Sequence, residues 1–300
     1  MENHMFTGCG TALITPFKPD RSLDEATLRL LVRRQIDAGI DFLCPCGTTG
    51  ESPTLKGDEH VRVVEITVEE ARGRVPVLAG AGGYDTDHVI GLTRELKEVG
   101  VSGILSVTPY YNKPTQEGLY QHYRAIAEST DLPIIVYSVQ SRTAVNVEPA
   151  TLVRLAEVPN IAGVKEASGS ITQMASVLAR VPESFTVLSG DDAITIPLTA
   201  LGGRGVISVV ANQIPAEFGE LTRAALKGDF ARARQLQRKY QALMEINFIE
   251  TSPGPVKFAM ARMGLVEPVW RLPMVPPQPA SEQKIEAVLE SLALLAGVRV

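Results

Sequence analysis

The sequence predicts an α/β protein built as a (β/α)8 barrel of the TIM type with a C-terminal helical appendage. Two observations carry this. Eight short runs rich in Val, Ile and Leu show little polar alternation, and segments of helical period lie between them. Such runs read as strands buried on both faces of a parallel sheet, and the amphipathic segments supply the helices that cover it. A doubly wound open sheet is the competing arrangement. It would normally place a glycine-rich nucleotide turn after its first strand, and none is present there.

The strands are expected at residues 10–14, 41–46, 75–80, 103–108, 134–137, 161–165, 186–189 and 205–210. Between the first two, Leu28, Leu31, Val32 and Ile36 form one helical stripe, ended by Gly39. Val89, Leu92, Leu96 and Val99 form another, ended by Gly100. Thr115 has the chemistry to cap the helix carrying Leu119, Tyr123 and Ile126. From about residue 216 the strands stop while the helical period continues through Phe230, Ala233, Leu236, Tyr240 and Leu243. Pro255 stands where a first helical turn tolerates it. Residues 272–279 hold four prolines and read as non-helical. Ile285, Val288, Leu289, Leu292 and Leu295 make the last stripe, closed by Gly297. The expected division is residues 1–228 as the barrel with the active site and 229–300 as a C-terminal helical domain.

Composition excludes several classes. A net charge of -5 without a basic block argues against a nucleic-acid surface. No apolar run reaches the roughly 18 residues of a membrane helix, and the opening residues lack the pattern of a signal peptide. Three cysteines are not a disulfide framework. Cys44 and Cys46, two apart in the expected second strand, would share one face as core residues. A reducing, cytoplasmic setting is expected. The four histidines, His4, His60, His88 and His122, are not at metal spacing, so no metal is expected. Gly80-Ala81-Gly82-Gly83 lacks dinucleotide spacing, and Gly202-Gly203-Arg204-Gly205 precedes the eighth strand on the opposite face.

Active sites of such barrels lie at the C-terminal strand ends. Lys165 ends the sixth strand, and a lysine is almost never buried without a reason. An amine there can attack a carbonyl. Free lysine is neutral in only roughly one molecule in 2,500 at pH 7, and desolvation favours the neutral form. The plain alternative is a lysine that reaches out to the rim. The second strand leads into Gly47-Thr48-Thr49-Gly50-Glu51-Ser52, whose amides can hold a carboxylate. The fourth leads into Tyr110 and Tyr111, the fifth ends at Tyr137 before Arg142, the seventh leads into Gly190-Asp191-Asp192, and the eighth contains Ile207. Singly, the tyrosines read as packing, Arg142 as a surface charge and the two aspartates as a helix cap. Their convergence on one face argues for a site.

These motifs, with Tyr110-Tyr111-Asn112-Lys113-Pro114, Gly163-Val164-Lys165-Glu166-Ala167 and Pro255-Val256-Lys257, resemble the dihydrodipicolinate synthase family. That family belongs to the class I, Schiff-base pyruvate aldolases, which also include N-acetylneuraminate lyase. The paired threonines and Arg142 favour the synthase branch. The resemblance implies condensation of pyruvate with L-aspartate 4-semialdehyde on the diaminopimelate route to lysine, without cofactor or catalytic metal. It implies that Lys165 forms the imine, that Tyr137 exchanges protons with Thr48 and Tyr111, and that Thr49 holds the pyruvate carboxylate. Arg142 would take the semialdehyde carboxylate, with Gly190 and Ile207 lining the pocket. Tyr111 would reach a neighbouring subunit's site, making a dimer the minimal active unit, and the resemblance implies a homotetramer, a dimer of dimers, as the usual assembly.

One segment departs from the family. The family commonly has an asparagine and then a proline after the tyrosine, where this chain has Tyr137-Ser138-Val139-Gln140-Ser141-Arg142. Losing the proline removes a fixed φ and bears on how firmly Arg142 is held. A regulatory cleft for lysine would be built by Pro53, Gly57, His60, Tyr84, His88 and Tyr110. Here Gly57 and His88 stand where an imidazole and an acidic group are usual, so weak feedback is expected. Two other readings stay open: a sister Schiff-base aldolase or dehydratase for another 2-keto acid, and a catalytically silent binding barrel. Intact Lys165, Tyr137, Thr48 and Tyr111 argue against the silent barrel.

Overall fold

Side-chain alternation along short parallel strands organises the molecule. The computed structural model describes residues 5–295. Its strands are β1 (Gly8–Ala12), β2 (Phe42–Cys44), β3 (Leu78–Gly80), β4 (Gly103–Val107), β5 (Ile134–Ser138), β6 (Ile161–Glu166), β7 (Thr186–Ser189) and β8 (Gly205–Ser208). They lie in the order β2-β1-β8-β7-β6-β5-β4-β3. A parallel bridge between Leu43 and Val77 joins the two ends of that order, and the Gly80 amide donates to the Pro45 carbonyl at 3.0 Å. The (β/α)8 barrel is thereby nearly closed.

Ala12, Cys44, Leu78, Leu105, Ile135, Tyr137, Leu188 and Ile207 form one buried cluster inside the barrel. Their strand neighbours Leu43, Ala79, Ile104, Val136, Val164, Val187 and Val206 join the larger core under the helices. Burial of both faces explains the unbroken apolar runs, each Val, Leu or Ile contributing about 1.5–3 kcal/mol.

The helices end where their local chemistry dictates. Asp24 caps the helix Glu25–Asp37 by accepting from the Thr27 amide, and that helix buries Leu28, Leu31 and Val32. Thr115 caps the helix Gln116–Glu128 through the Gly118 amide. Gly100 closes the helix Thr86–Val99 in the left-handed region, at φ 91°. In the C-terminal part, the helix Phe230–Ile246 packs on Pro215–Leu226, and Gly254–Arg262 packs on Pro279–Ser291. Pro255 and Pro279 both sit in first turns, so the proline-rich stretch leads into the last helix. That helix stops at Ser291; His4 and Gly297 lie outside the described residues.

Several strand bounds and one shared face are corrected. The first strand runs Gly8–Ala12 rather than 10–14, and the third begins at Leu78 rather than 75. The second strand ends at Cys44, not at residue 46. Pro45 has no N–H to continue the ladder, and Cys46 takes a left-handed φ of 57°. Cys44 therefore points into the barrel while Cys46 joins the outer core, so the two do not share a face. The eighth strand stops at Ser208, after which Val210–Asn212 curls into a 3-10 turn. Among the described residues, no helix is long and apolar enough to cross a membrane. Nor, among them, could any group of three His, Cys, Asp or Glu hold a metal ion.

Candidate active site

Parallel register brings Lys165 level with Tyr137 on β5 and with Leu188 on β7. Level residues of a sheet share a face, so all three point into the barrel. Lys165 and Tyr137 are 6% and 7% exposed, and the Lys165 amine lies 4.2 Å from the centre of the Tyr137 ring. A buried lysine is thus set directly against a phenol at the strand ends. Gly190 gives the lysine stem its room. A Cβ there would approach Lys165 Cε to 3.2 Å and the Ala167 methyl to 2.6 Å. Ile207 is buried on β8, in the same inner cluster as Tyr137.

The turn after β2 is held by its own backbone. The Gly50 amide donates to the Gly47 carbonyl and the Glu51 amide to the Thr48 carbonyl, both at 3.1 Å. Thr15 Oγ1 donates to the Gly50 carbonyl at 2.7 Å. Thr49 is buried, and Thr48 lines a cavity of about 860 Å³ together with Tyr137 and Arg142.

Arg142 stands on a short helical turn, Gln140–Thr143. Ser138, fully buried, accepts from the Val147 amide at 3.1 Å and so ties down the segment before it. Thr143 anchors the other side, its hydroxyl bonded to Thr108 and to the Val139 and Val145 carbonyls. These bonds keep Arg142 at the cavity wall. Its guanidinium donates to the Ser252 carbonyl at 3.3 Å.

The same cavity continues past Pro53, Gly57, His60, Tyr84, His88 and Tyr110. His60 Nε2 donates to the Gly80 carbonyl at 2.8 Å, and burial lowers its pKa. Tyr84 and Tyr110 meet edge to face at 5.3 Å, and burial raises the Tyr110 pKa. Glu95, which sequence reasoning passed over, also lines this end. Tyr111 does not. It is 90% exposed, on a left-handed φ of 65°.

The aspartate pair divides its work. Asp191 caps by accepting from the Ala193 amide at 2.9 Å, as a cap reading expects. Asp192 instead is buried and accepts from the Val209 and Val210 amides, tying the end of β7 to that of β8. Burial pushes its pKa up to about 6. Sequence reasoning also missed a partnership of Glu51 with Lys257, 206 residues apart at 2.6 Å. No local pattern signals such a contact.

A parallel (β/α)8 barrel with a buried lysine against a phenol at its C-terminal rim has the framework of a Schiff-base lyase. The chain belongs to the Dihydrodipicolinate synthetase family, whose model matches residues 5–292. It is 53% identical over 294 residues to a 4-hydroxy-tetrahydrodipicolinate synthase of Koribacter versatilis, covering 98% of each chain. The same-named protein of Acidobacterium capsulatum is 50% identical over 291 residues, with 96% of each covered. Among solved structures, dihydrodipicolinate synthase from Aquifex aeolicus superposes with a TM-score of 0.95 at 46% identity. That match covers 97% of this chain and 100% of the other.

Proposed function

We propose that this enzyme condenses pyruvate with L-aspartate 4-semialdehyde to 4-hydroxy-tetrahydrodipicolinate, on the diaminopimelate route to lysine. One observation carries the chemistry: a buried Lys165 amine 4.2 Å from the Tyr137 ring centre at the strand ends. In this reading the neutral amine attacks C2 of pyruvate and water leaves, giving an imine. Loss of a methyl proton makes an enamine, whose carbon attacks the aldehyde, and the aldehyde oxygen takes a proton to become the 4-hydroxyl. The amine of the former semialdehyde then attacks the imine carbon, closing the ring and releasing Lys165. The protonated imine is the electron sink, so no further cofactor enters the scheme.

Tyr137 moves the protons, relayed by Thr48 and by Tyr111 of a neighbouring subunit. Thr49 holds the pyruvate carboxylate, Arg142 takes that of the semialdehyde in its planar fork, and Gly190 and Ile207 shape the pocket. The exposure of Tyr111 supports an assembly in which a neighbouring subunit covers it, a dimer at the least, and the family resemblance extends this to a dimer of dimers. The domain boundary falls between residues 228 and 229 in this reading, barrel before it and helical domain after it, and the enzyme works in the cytoplasm. The far end of the cavity, from Pro53 to Tyr110, is the place where lysine would act as a feedback ligand.

A coupled assay offering aspartate semialdehyde, neuraminate and sugar-derived 2-keto acids side by side tests the reading. Turnover with pyruvate and aspartate semialdehyde, and little with the others, is expected. Preference for another 2-keto acid would instead mark a sister aldolase or dehydratase.

A further inference from the structure

The Glu51–Lys257 pair has no part in the steps above, yet its two side chains are only 1% and 0% exposed. The lysine amine also lies 4.1 Å from the centre of the Phe17 ring. Burying an ion pair carries a desolvation cost that its own attraction need not repay, and apolar residues of similar size often stabilise as well. Glu51 Oε2 moreover has no hydrogen-bond partner. Stability alone is a poor account of such a pair.

Its position suggests another role. Glu51 closes the turn that presents Thr48 and Thr49, and it does so in a left-handed conformation, φ 54°. A side-chain residue keeps that conformation only where its surroundings hold it. To the backbone bonds that close this turn, Lys257 adds a side-chain tie, its amine 2.6 Å from the Glu51 carboxylate. Five residues earlier, the Ser252 carbonyl receives the Arg142 guanidinium at 3.3 Å. One short stretch of the C-terminal region thus touches supports of both carboxylate sites.

We propose that residues 252–257 are a positioning device: Lys257, through Glu51, sets the Thr48–Thr49 turn for pyruvate, while the Ser252 carbonyl steadies Arg142. This rests on the site assignment above. Neither Glu51 nor Lys257 lines the cavity. The double variant Glu51→Gln, Lys257→Met neutralises the pair without leaving a lone buried charge. Its KM for pyruvate is expected to rise roughly 10-fold or more, because small displacements of positioning groups are costly. Its kcat should change less, with the fold retained by circular dichroism. Unchanged KM, with or without a fall in kcat, overturns the proposal.

Should the double variant not fold, Glu51→Asp gives the same readout, since it keeps both charges but draws the turn back by one methylene. A raised pyruvate KM supports the role and an unchanged one overturns it. Borohydride trapping of pyruvate on Lys165 of the parent enzyme is the control. Its absence would sink the site assignment itself; trapping in the parent with unchanged KM in the variant sinks only the positioning role.

Discussion

The two ends of the site are built differently. Lys165 and Tyr137 sit on adjacent strands, almost fully buried, and the ladder of β5 and β6 fixes their separation. Arg142 sits on a single helical turn outside the sheet, and Tyr111 on a loop. Arg142 is exposed and held through a 3.3 Å contact to a backbone carbonyl, while Tyr111 is 90% exposed. The bond-making groups are thus rigid by construction, and the groups proposed for the second substrate and for assembly depend on loops and neighbours. Scaffolded chemistry with recognition on the connecting loops is what a barrel permits.

The sharpest break of this contrast is Tyr137→Phe. If the phenol moves protons, kcat should fall by roughly 10²–10⁴-fold, while the fold, held by the ring rather than the hydroxyl, survives. A steady-state assay beside a melting curve checks this. Full activity would move the acid–base role elsewhere.

Arg142→Ala probes the loop-held end. Condensation should weaken by about 1.5–3 kcal/mol through the lost charge-assisted bond, while imine formation with pyruvate persists. Kinetics that do not change with aspartate semialdehyde would mean that Arg142 does not meet the second substrate.

A smaller effect concerns the support behind the turn after β2. Arg271 donates to both carboxylate oxygens of Glu59, at 2.7 and 2.6 Å, and holds the Glu59 pKa down at about 2. A carboxylate lowered from its ordinary value of 4.5 stabilises the fold above that pH and loses the contribution as pH falls toward 2. Because the pair is partly solvated, the contribution is set at roughly 1 kcal/mol. Glu59→Gln should flatten the acid limb of a stability–pH curve in that window. An unaltered limb would contradict the assignment.

The least effect is expected from lysine itself. Gly57 and His88 offer no carboxylate for an ammonium group, although Glu95 lies on the same wall. Initial rates against lysine at saturating substrates should show weak inhibition. Strong inhibition at submillimolar lysine, removed by Glu95→Gln, would show that the cleft uses a carboxylate which motif comparison did not find.

Much of the rigid end was legible in the sequence, because apolar strands carry a local signal and the chemistry follows their ends. Counting strands places Lys165, Tyr137, Gly190 and Ile207 at or near strand ends, while their roles come from the family resemblance. Contacts that local pattern cannot encode were hidden. Pro45 and the left-handed Cys46 cut β2 short without altering its apolar composition. Glu51 meets Lys257 across 206 residues, and Arg142 is met by a backbone carbonyl that no side-chain motif marks. The role of Asp192 was masked by a capping pattern that its neighbour Asp191 satisfies alone.

The central claim is that Lys165 is the imine-forming nucleophile, and trapping tests it most directly. The enzyme is incubated with pyruvate, reduced with borohydride and mapped by intact-mass and peptide analysis. The account predicts one added reduced pyruvyl group, located on Lys165. An unmodified Lys165, or an adduct on Lys113 or Lys257 instead, would contradict it.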